Sequence, residues 1–85
     1  MYLHVTGIVT AERERLAPHA EEEARVLRRL KADGVVVSSF RRTDKPGVFL
    51  IVEAESLDSA REHLNQLPYA ADGFLTFEFI EVGRL

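Results

Sequence analysis

The segment LNQLPYAADGFLTFEFIEV, residues 64 to 82, decides the fold of this chain, because it predicts a helix, a connector and then a strand. Pro68 ends the helix near Leu67, since proline disfavours helical geometry in the residue before it. YAADG is the connector, and FLTFEFIEV is the final strand. That strand contains Glu78 and Glu81, and acidic side chains in a strand are costly to bury unless they face water, a charge or a ligand.

The helix before Pro68 is predicted from its cap and its apolar spacing. Ser56 is a suitable N-cap residue. The apolar residues that follow it at helical spacing are Leu57, Ala60, Leu64 and Leu67. The segment from Ser56 to Val82 is therefore expected to be a capped helix, a connector and a strand.

The N-terminal segment YLHVTGIV, residues 2 to 9, has the alternation of a half-buried strand. Leu3, Val5 and Val9 fall on one face. The residues of the other face are Tyr2, His4, Thr6 and Ile8. This second face mixes polar and apolar side chains.

A long helix is predicted from Ala11 to Asp33. Thr10 is the expected N-cap, and Gly34 is the expected C-terminal stop. Pro18 leaves a second possibility, in which the helix begins nearer Ala17 with proline in its first turn. The residues that recur at helical spacing are Leu16, Ala20, Glu23 or Ala24, Leu27 and Leu30.

The middle of the chain predicts a β-hairpin. VVVSSFRR and VFLIVEAE are rich in β-branched and aromatic residues and flank the turn-forming sequence TDKPG. The complete order is β-α-β-β-α-β, which is typical of an α+β ferredoxin-like fold with a four-stranded antiparallel sheet and both helices on one face. The opposite face would expose apolar residues such as Ile8, Phe49 and Ile51, and a second copy of the chain is the simplest cover for it.

Composition restricts the class of protein. Eighty-five residues predict one domain spanning residues 1–85. A hydrophobic share of 46% with 29% charged residues is typical of a soluble globular protein, and the net charge of -3 argues against nucleic acid. There is no cysteine, no signal-like start and no apolar run long enough to cross a membrane. We expect a cytoplasmic protein with no membrane partner.

His4 and Glu78 are the first candidate catalytic residues. In the predicted topology the first strand lies beside the fourth, and both side chains are expected on the face turned away from the helices. A carboxylate near an imidazole favours its protonated form, and the ordinary histidine pKa of about 6.5 suits proton transfer. Alternatively, His4 hydrogen-bonds within a dimer interface and Glu78 sits at its wet rim.

Other side chains are candidates for binding a substrate. Arg41 and Arg42 alternate faces at the end of the second strand, so one of them is expected to reach the open side. There it either binds a small carboxylate or belongs to a solvated hairpin end. Tyr2 shares the face of His4, and Tyr69 in the connector is a candidate lid residue. No metal-binding spacing and no nucleotide-binding or serine-hydrolase motif occurs, so no metal site is expected.

Several segments in order resemble the muconolactone isomerase family of the dimeric α+β barrel superfamily. They are MYLHV, LRRLKADG, FRR, IVEAES, LNQLP and IEV. The resemblance covers nearly the whole chain. It implies two ferredoxin-like sheets packed face to face in a homodimer or a larger homo-oligomer, with neither a metal nor an organic cofactor.

The resemblance also implies an activity, a proton shift that moves the double bond of a small carboxylated lactone during the breakdown of aromatic compounds. His4, Glu23 and Arg41 occupy positions that match the family pattern. Such a reaction needs a base, an acid and a cation for the carboxylate. Two alternatives stay open. One is a non-catalytic ligand-binding or accessory protein, and the other is a cofactor-free monooxygenase or a YCII-like enzyme of the same superfamily.

Overall fold

The computed structural model describes residues 1–85 and forms one four-stranded antiparallel sheet with helices on one side. The strands are β1 (Tyr2–Val9), β2 (Val36–Arg41), β3 (Gly47–Glu53) and β4 (Leu75–Val82). The helices are α1 (Arg13–Leu16), a 3₁₀ turn (Ala17–His19), α2 (Ala20–Ala32), α3 (Leu57–Leu64) and α4 (Pro68–Ala71). The strand order β2-β3-β1-β4 confirms the predicted ferredoxin-like α+β fold.

The face of each β1 residue agrees with the prediction from its alternation. Leu3 and Val5 are fully buried under the helices. Across the sheet they oppose Val52 and Leu50 of β3, which are buried on the same face. Tyr2, His4, Thr6 and Ile8 point the other way and are only half-buried. One hydrophobic core therefore lies between the sheet and the helices.

The first helical region differs from the single helix predicted between Ala11 and Asp33. It begins at Arg13, passes through a 3₁₀ turn that contains Pro18, and continues as α2. Thr10 was expected to be its N-cap, but the N-cap of α1 is Glu12, and the Thr10 hydroxyl instead donates to the carbonyl of Gly73, 3.3 Å away. Proline has no N–H for a helical hydrogen bond, which explains the interruption at Pro18.

Two predicted helix ends are confirmed, whereas α3 ends at Leu64 and not near Leu67 as predicted from Pro68. Gly34 has a φ of 77°, a conformation that residues with a Cβ rarely adopt, and it follows the end of α2. The Ser56 hydroxyl accepts a hydrogen bond from the N–H of Ser59 at 3.0 Å and caps α3. The segment YAADG was predicted to be a connector, but its first three residues belong to the short helix α4, which begins at Pro68.

One irregularity in β2 changes which face its later residues occupy. The register with β3 shifts between Val36 and Ser38, so that Val36 opposes Val52 while Ser38 opposes Ile51. Val37 lies within this bulge and is exposed. Because a one-residue shift exchanges the faces of a strand, the bulge fixes the orientation of every later residue of β2.

The sheet face turned away from the helices has no cover within the chain. Phe40 is 61% exposed and Ile80 is 62% exposed on this face. The same face carries Phe49 and Ile51 of β3, as the sequence predicted. None of the helices has both the length and the apolar character that a bilayer span requires.

Candidate functional site

We define the open face as the uncovered side of the sheet that carries His4. The polar residues at its centre come from three strands: His4 and Thr6 from β1, Ser38 from β2, and Glu78 from β4. Its apolar residues surround them and include Phe40, Phe49, Ile51, Ile80 and Val82. The open face therefore has a polar centre within an apolar surface.

His4 lies at the middle of the open face, between its two neighbouring strands. It opposes Ile51 on β3 and Ile80 on β4, and its ring lies 5.7 Å from the ring of Phe49 in a tilted arrangement. No side chain of the protein hydrogen-bonds to its imidazole, which leaves both ring nitrogens available to a ligand.

Glu78 shares this face, as the alternation of β4 predicted. Its direct cross-strand partner is Thr6, so it lies diagonally from His4, which opposes Ile80. Diagonal neighbours in a sheet are about 7–8 Å apart, a separation that a small ligand or a water molecule can bridge. The open face thus carries an imidazole and a carboxylate as diagonal neighbours on adjacent strands.

The two arginines of the hairpin fall on opposite sides of the sheet. Arg41 opposes Val48, which opposes Gly7 on the helix side. Arg42 turns toward the open face, where its guanidinium lies 4.9 Å from the centre of the Phe49 ring. Because the same ring also contacts His4, Arg42 is the arginine on the histidine side of the sheet.

Asp44 holds the guanidinium of Arg42 through two hydrogen bonds. The Arg42 Nε donates to one carboxylate oxygen at 3.0 Å, and a terminal nitrogen donates to the other at 2.7 Å. These bonds lower the pKa of Asp44 to about 2. They also raise the pKa of Arg42, so the pair is charged across the whole neutral range.

Glu23 and Tyr69 meet in the helical layer, on the far side of the sheet from His4. Glu23 of α2 accepts a hydrogen bond from the backbone N–H of Tyr69 at 2.9 Å. Burial raises the pKa of Glu23 and outweighs this hydrogen bond, which acts to lower it. Burial also raises the pKa of the Tyr69 hydroxyl, with a smaller contribution from the charge of Glu23.

Tyr2 lies at the end of the open face near the C-terminus. Its hydroxyl accepts a hydrogen bond from Arg84 at 2.9 Å, and the Arg84 guanidinium lies 5.0 Å from the centre of its ring. The six predicted site residues therefore occupy three places. Tyr2, His4 and Glu78 lie on the open face, Glu23 and Tyr69 in the helical layer, and Arg41 at one end of the sheet on the helix side.

One imidazole–carboxylate pair has no signal in the sequence. His19, at the end of the 3₁₀ turn, lies with its Nε2 3.7 Å from a carboxylate oxygen of Asp72. Its ring also contacts Phe74, over which Arg15 places its guanidinium at 4.8 Å. His19 and Asp72 are 53 residues apart in the chain, and no local pattern could have linked them. The chain assembles no group of three His, Cys, Asp or Glu side chains of the kind that holds a metal.

Comparison with known proteins agrees with this architecture. The model of a family described as the YCII-related domain matches residues 2–82. A crystal structure of muconolactone isomerase superposes with a TM-score of 0.78 over 100% of this chain and 91% of the other, at 18% sequence identity. At that identity the superposition shows a common fold. No curated protein matches the sequence significantly.

Proposed function

Since this chain belongs to the YCII-related domain family, we propose that it is an enzyme that transfers a proton on a small carboxylated substrate without a cofactor. The specific reaction that we propose is the muconolactone isomerase type, in which a double bond of a carboxylated lactone moves by loss and return of a proton. Aromatic-compound breakdown is the metabolic setting that such a substrate implies. The open face is the proposed active site.

This proposal rests on the set of side chains that the open face presents. An imidazole, a carboxylate and a guanidinium reach the same side of the sheet, from His4, Glu78 and Arg42. His4 and Arg42 both contact the ring of Phe49, so the imidazole and the guanidinium flank one aromatic side chain. This set supplies what the reaction requires: a base that can return the proton as an acid, a carboxylate that stabilises its charged form, and a cation for the substrate carboxylate.

Each residue has a proposed role in the proton transfer. The neutral imidazole of His4 removes the acidic proton next to the substrate carbonyl, a role for which histidine is the most common side chain in enzymes. Glu78, the diagonal neighbour of His4, stabilises the imidazolium that forms. Arg42 pairs with the substrate carboxylate and fixes its orientation. The protonated His4 then returns the proton to the shifted position.

The active site that we propose is complete only in a homodimer. The open face exposes large apolar side chains, among them Phe40 and Ile80, and such a surface is rarely left in water by a monomer. A second copy placed face to face would bury these residues and enclose the polar centre around His4. Exclusion of water would strengthen the electrostatic interactions of Arg42 and Glu78 with the substrate.

The test is turnover of muconolactone combined with exchange of its acidic proton for solvent deuterium. We expect His4→Ala, which removes the acid–base group, to abolish both exchange and double-bond shift, and Glu78→Gln to reduce them about 10²-fold or more, as loss of an electrostatic stabiliser commonly does. His63→Ala is the matched control, because His63 lies on α3 in the helical layer. Unchanged exchange in a folded His4→Ala variant would rule out the open face as the active site.

The pair of His19 and Asp72 is a second candidate site for the same chemistry. The His19 Nε2 already lies 3.7 Å from a carboxylate oxygen of Asp72. The same assay separates the two sites. Loss of exchange in His19→Ala, with full activity in His4→Ala, would assign the reaction to this pair.

A non-catalytic ligand-binding role is the second candidate function. The observation that favours it is the diagonal rather than direct placement of Glu78 relative to His4. In that case carboxylated lactones would raise the melting temperature of the protein without turnover or deuterium exchange in any variant.

A further inference from the structure

The largest groove of the molecule lies away from the open face, on the helix side at one end of the sheet. It has a volume of about 580 Å³. Its walls are the end of β1, the short helix α1 and the hairpin residues 41 to 48. A groove of this size lies within the range of about 300–1,000 Å³ that small-molecule sites occupy.

The charge of this groove is opposite to that of the whole chain. Four basic residues line it, Arg13, Arg41, Arg42 and Lys45. Arg42, whose guanidinium turns toward the open face, is neutralised by Asp44, so the other three give the groove a charge of +3. The chain as a whole carries -3. Glu12 and Glu14 neighbour Arg13 in sequence but do not line the groove. Such a local excess of positive charge attracts anions.

Three of the four cations have no partner within the protein. Arg42 is held by Asp44, with a shortest distance of 2.7 Å. The side chains of Arg13, Arg41 and Lys45 make neither a hydrogen bond nor an ion pair. Arg41 reaches this groove because it opposes Val48 on the helix side of the sheet. These cations are therefore free to bind a ligand.

The walls between the cations are apolar. Leu16 of α1, Pro46 of the turn and Val48 of β3 contribute side chains to the same groove. An inorganic anion would use the cations alone and leave this apolar surface in water. A ligand with an anionic group on an apolar body would use both kinds of surface.

We propose that this groove binds a small organic carboxylate, with Arg13 and Arg41 pairing with the carboxylate and Leu16 and Val48 contacting the apolar body. The two arginines of this site lie away from the open face that carries His4, and Arg42, whose guanidinium turns toward the open face, borders both sites. In this site Arg41 binds a carboxylate on the helix side of the sheet, a location that the sequence alone did not predict.

The experiment uses benzoate as the probe and benzyl alcohol as a neutral molecule of similar size, each titrated into the ¹⁵N-labelled protein. We expect benzoate to shift the amide signals of Gly47, Val48 and Arg13, and benzyl alcohol to shift them weakly. Arg41→Gln and Arg13→Gln should each weaken benzoate binding about tenfold, the usual effect of losing a hydrogen bond to a charged group. Arg28→Gln, an exposed change on α2 outside the groove, is the control and should bind like the wild type.

Three results would overturn the proposal. One is equal binding of benzoate and benzyl alcohol, which would show an apolar groove without carboxylate recognition. Another is benzoate binding that survives both arginine changes. The third is a set of shifts confined to the open face around His4 and Ile80. Since the titration measures binding without turnover, its result is independent of whether the protein is an isomerase.

Discussion

Glu23 and Tyr69 join two helices that are distant in sequence, because the Glu23 carboxylate accepts the backbone N–H of Tyr69 at 2.9 Å. Tyr69 is the second residue of α4, whose own N-cap residue, Leu67, supplies no side-chain acceptor. The first N–H groups of a helix need acceptors from outside it. Glu23 therefore performs for α4 the task that an N-cap side chain normally performs, and it does so from α2.

The first prediction concerns the pH dependence of stability at Glu23. Burial raises the pKa of this carboxyl above 4.5, so its charged form is less favourable in the folded protein than in the unfolded chain. The folded state then binds more protons than the unfolded state between pH 4.5 and the raised pKa, and the contribution of Glu23 to stability falls as pH rises through this window. Glu23→Gln should remove this loss of stability and keep a side-chain oxygen that accepts the backbone N–H of Tyr69.

Urea unfolding at several pH values between 4 and 8 checks this prediction. Glu23→Ala is the paired variant, because it removes the charge and the acceptor together. It should cost about 0.5–1.5 kcal/mol of unfolding free energy relative to Glu23→Gln, the usual net value of one hydrogen bond. Equal stability of the two variants would show that the bond to Tyr69 is unimportant.

A second prediction concerns the cap of α3. Ser56→Ala removes the hydroxyl that accepts the N–H of Ser59 and should destabilise the protein by about 1 kcal/mol. That loss should lower the melting temperature by about 4–8 °C for a domain of this size. Ser59→Ala is the control, since it keeps the backbone donor. A melting temperature that falls equally in both variants would contradict the capping role.

Much of the fold could be predicted because its signals are local. Alternation in β1 identifies the buried Leu3 and Val5, Gly34 marks the end of α2 by its positive φ, and Ser56 caps α3. Each of these signals acts within a few residues. The family resemblance was likewise spread along the whole chain, and the YCII-related match over residues 2–82 covers the same extent.

The arrangement of the site could not be predicted to the same extent, because it depends on contacts between distant segments. The bulge between Val36 and Ser38 determines that Arg41 lies on the helix side, and no residue type in VVVSSF requires a bulge there. The pairing of His19 with Asp72 depends on where α4 ends relative to the 3₁₀ turn. Alternation predicts that two neighbouring residues of a strand lie on opposite faces of the sheet. Which of the two faces the helices depends on the register with the neighbouring strand.

The third prediction concerns self-association through the open face. Phe40→Asp and Ile80→Asp each place a charge on the apolar part of this face, and a charge buried in an interface without a partner is costly. We expect each change to raise the dimer dissociation constant about tenfold or more, as loss of a central contact commonly does. Sedimentation velocity over a range of concentrations measures it.

Leu57→Asp provides the matched control for self-association. Leu57 is an exposed apolar residue at the first position of α3, in the helical layer, and an acidic residue is favourable in the first turn of a helix. This variant should associate like the wild type. A wild-type protein that sediments as a monomer at all concentrations would contradict both the interface and the proposed active site.

The fourth prediction concerns the pair of Arg42 and Asp44. The two hydrogen bonds from Arg42 hold the pKa of Asp44 at about 2, and Arg42→Gln should return it toward 3.8. Because the folded pKa is depressed, the stabilising contribution of Asp44 is present above pH 3.8 and is lost as the pH falls toward 2. An NMR titration of the Asp44 carboxyl carbon measures the pKa directly. An unchanged value in Arg42→Gln would show that another group depresses it.

The last prediction concerns the close approach of β1 and β3 at Gly47. A Cβ added at Gly47 would lie 2.4 Å from the backbone carbonyl oxygen of Gly7, and a carbonyl held in a sheet cannot move aside. At Gly7 the corresponding Cβ would meet side chains only, the nearest a methyl group of Val48 at 2.7 Å, and packed side chains shift more readily than a backbone carbonyl in a sheet. Gly47→Ala should therefore destabilise the protein more than Gly7→Ala, by about 1–3 kcal/mol or more. Gly83→Ala is the control, because its new methyl group would meet only open space. Thermal unfolding of the three variants should show the smallest loss of stability for Gly83→Ala, a larger loss for Gly7→Ala and the largest for Gly47→Ala.

A larger loss for Gly7→Ala than for Gly47→Ala would show that β1 and β3 can separate locally at the hairpin. The end of the sheet would then not hold Arg41 and Arg42 in fixed positions.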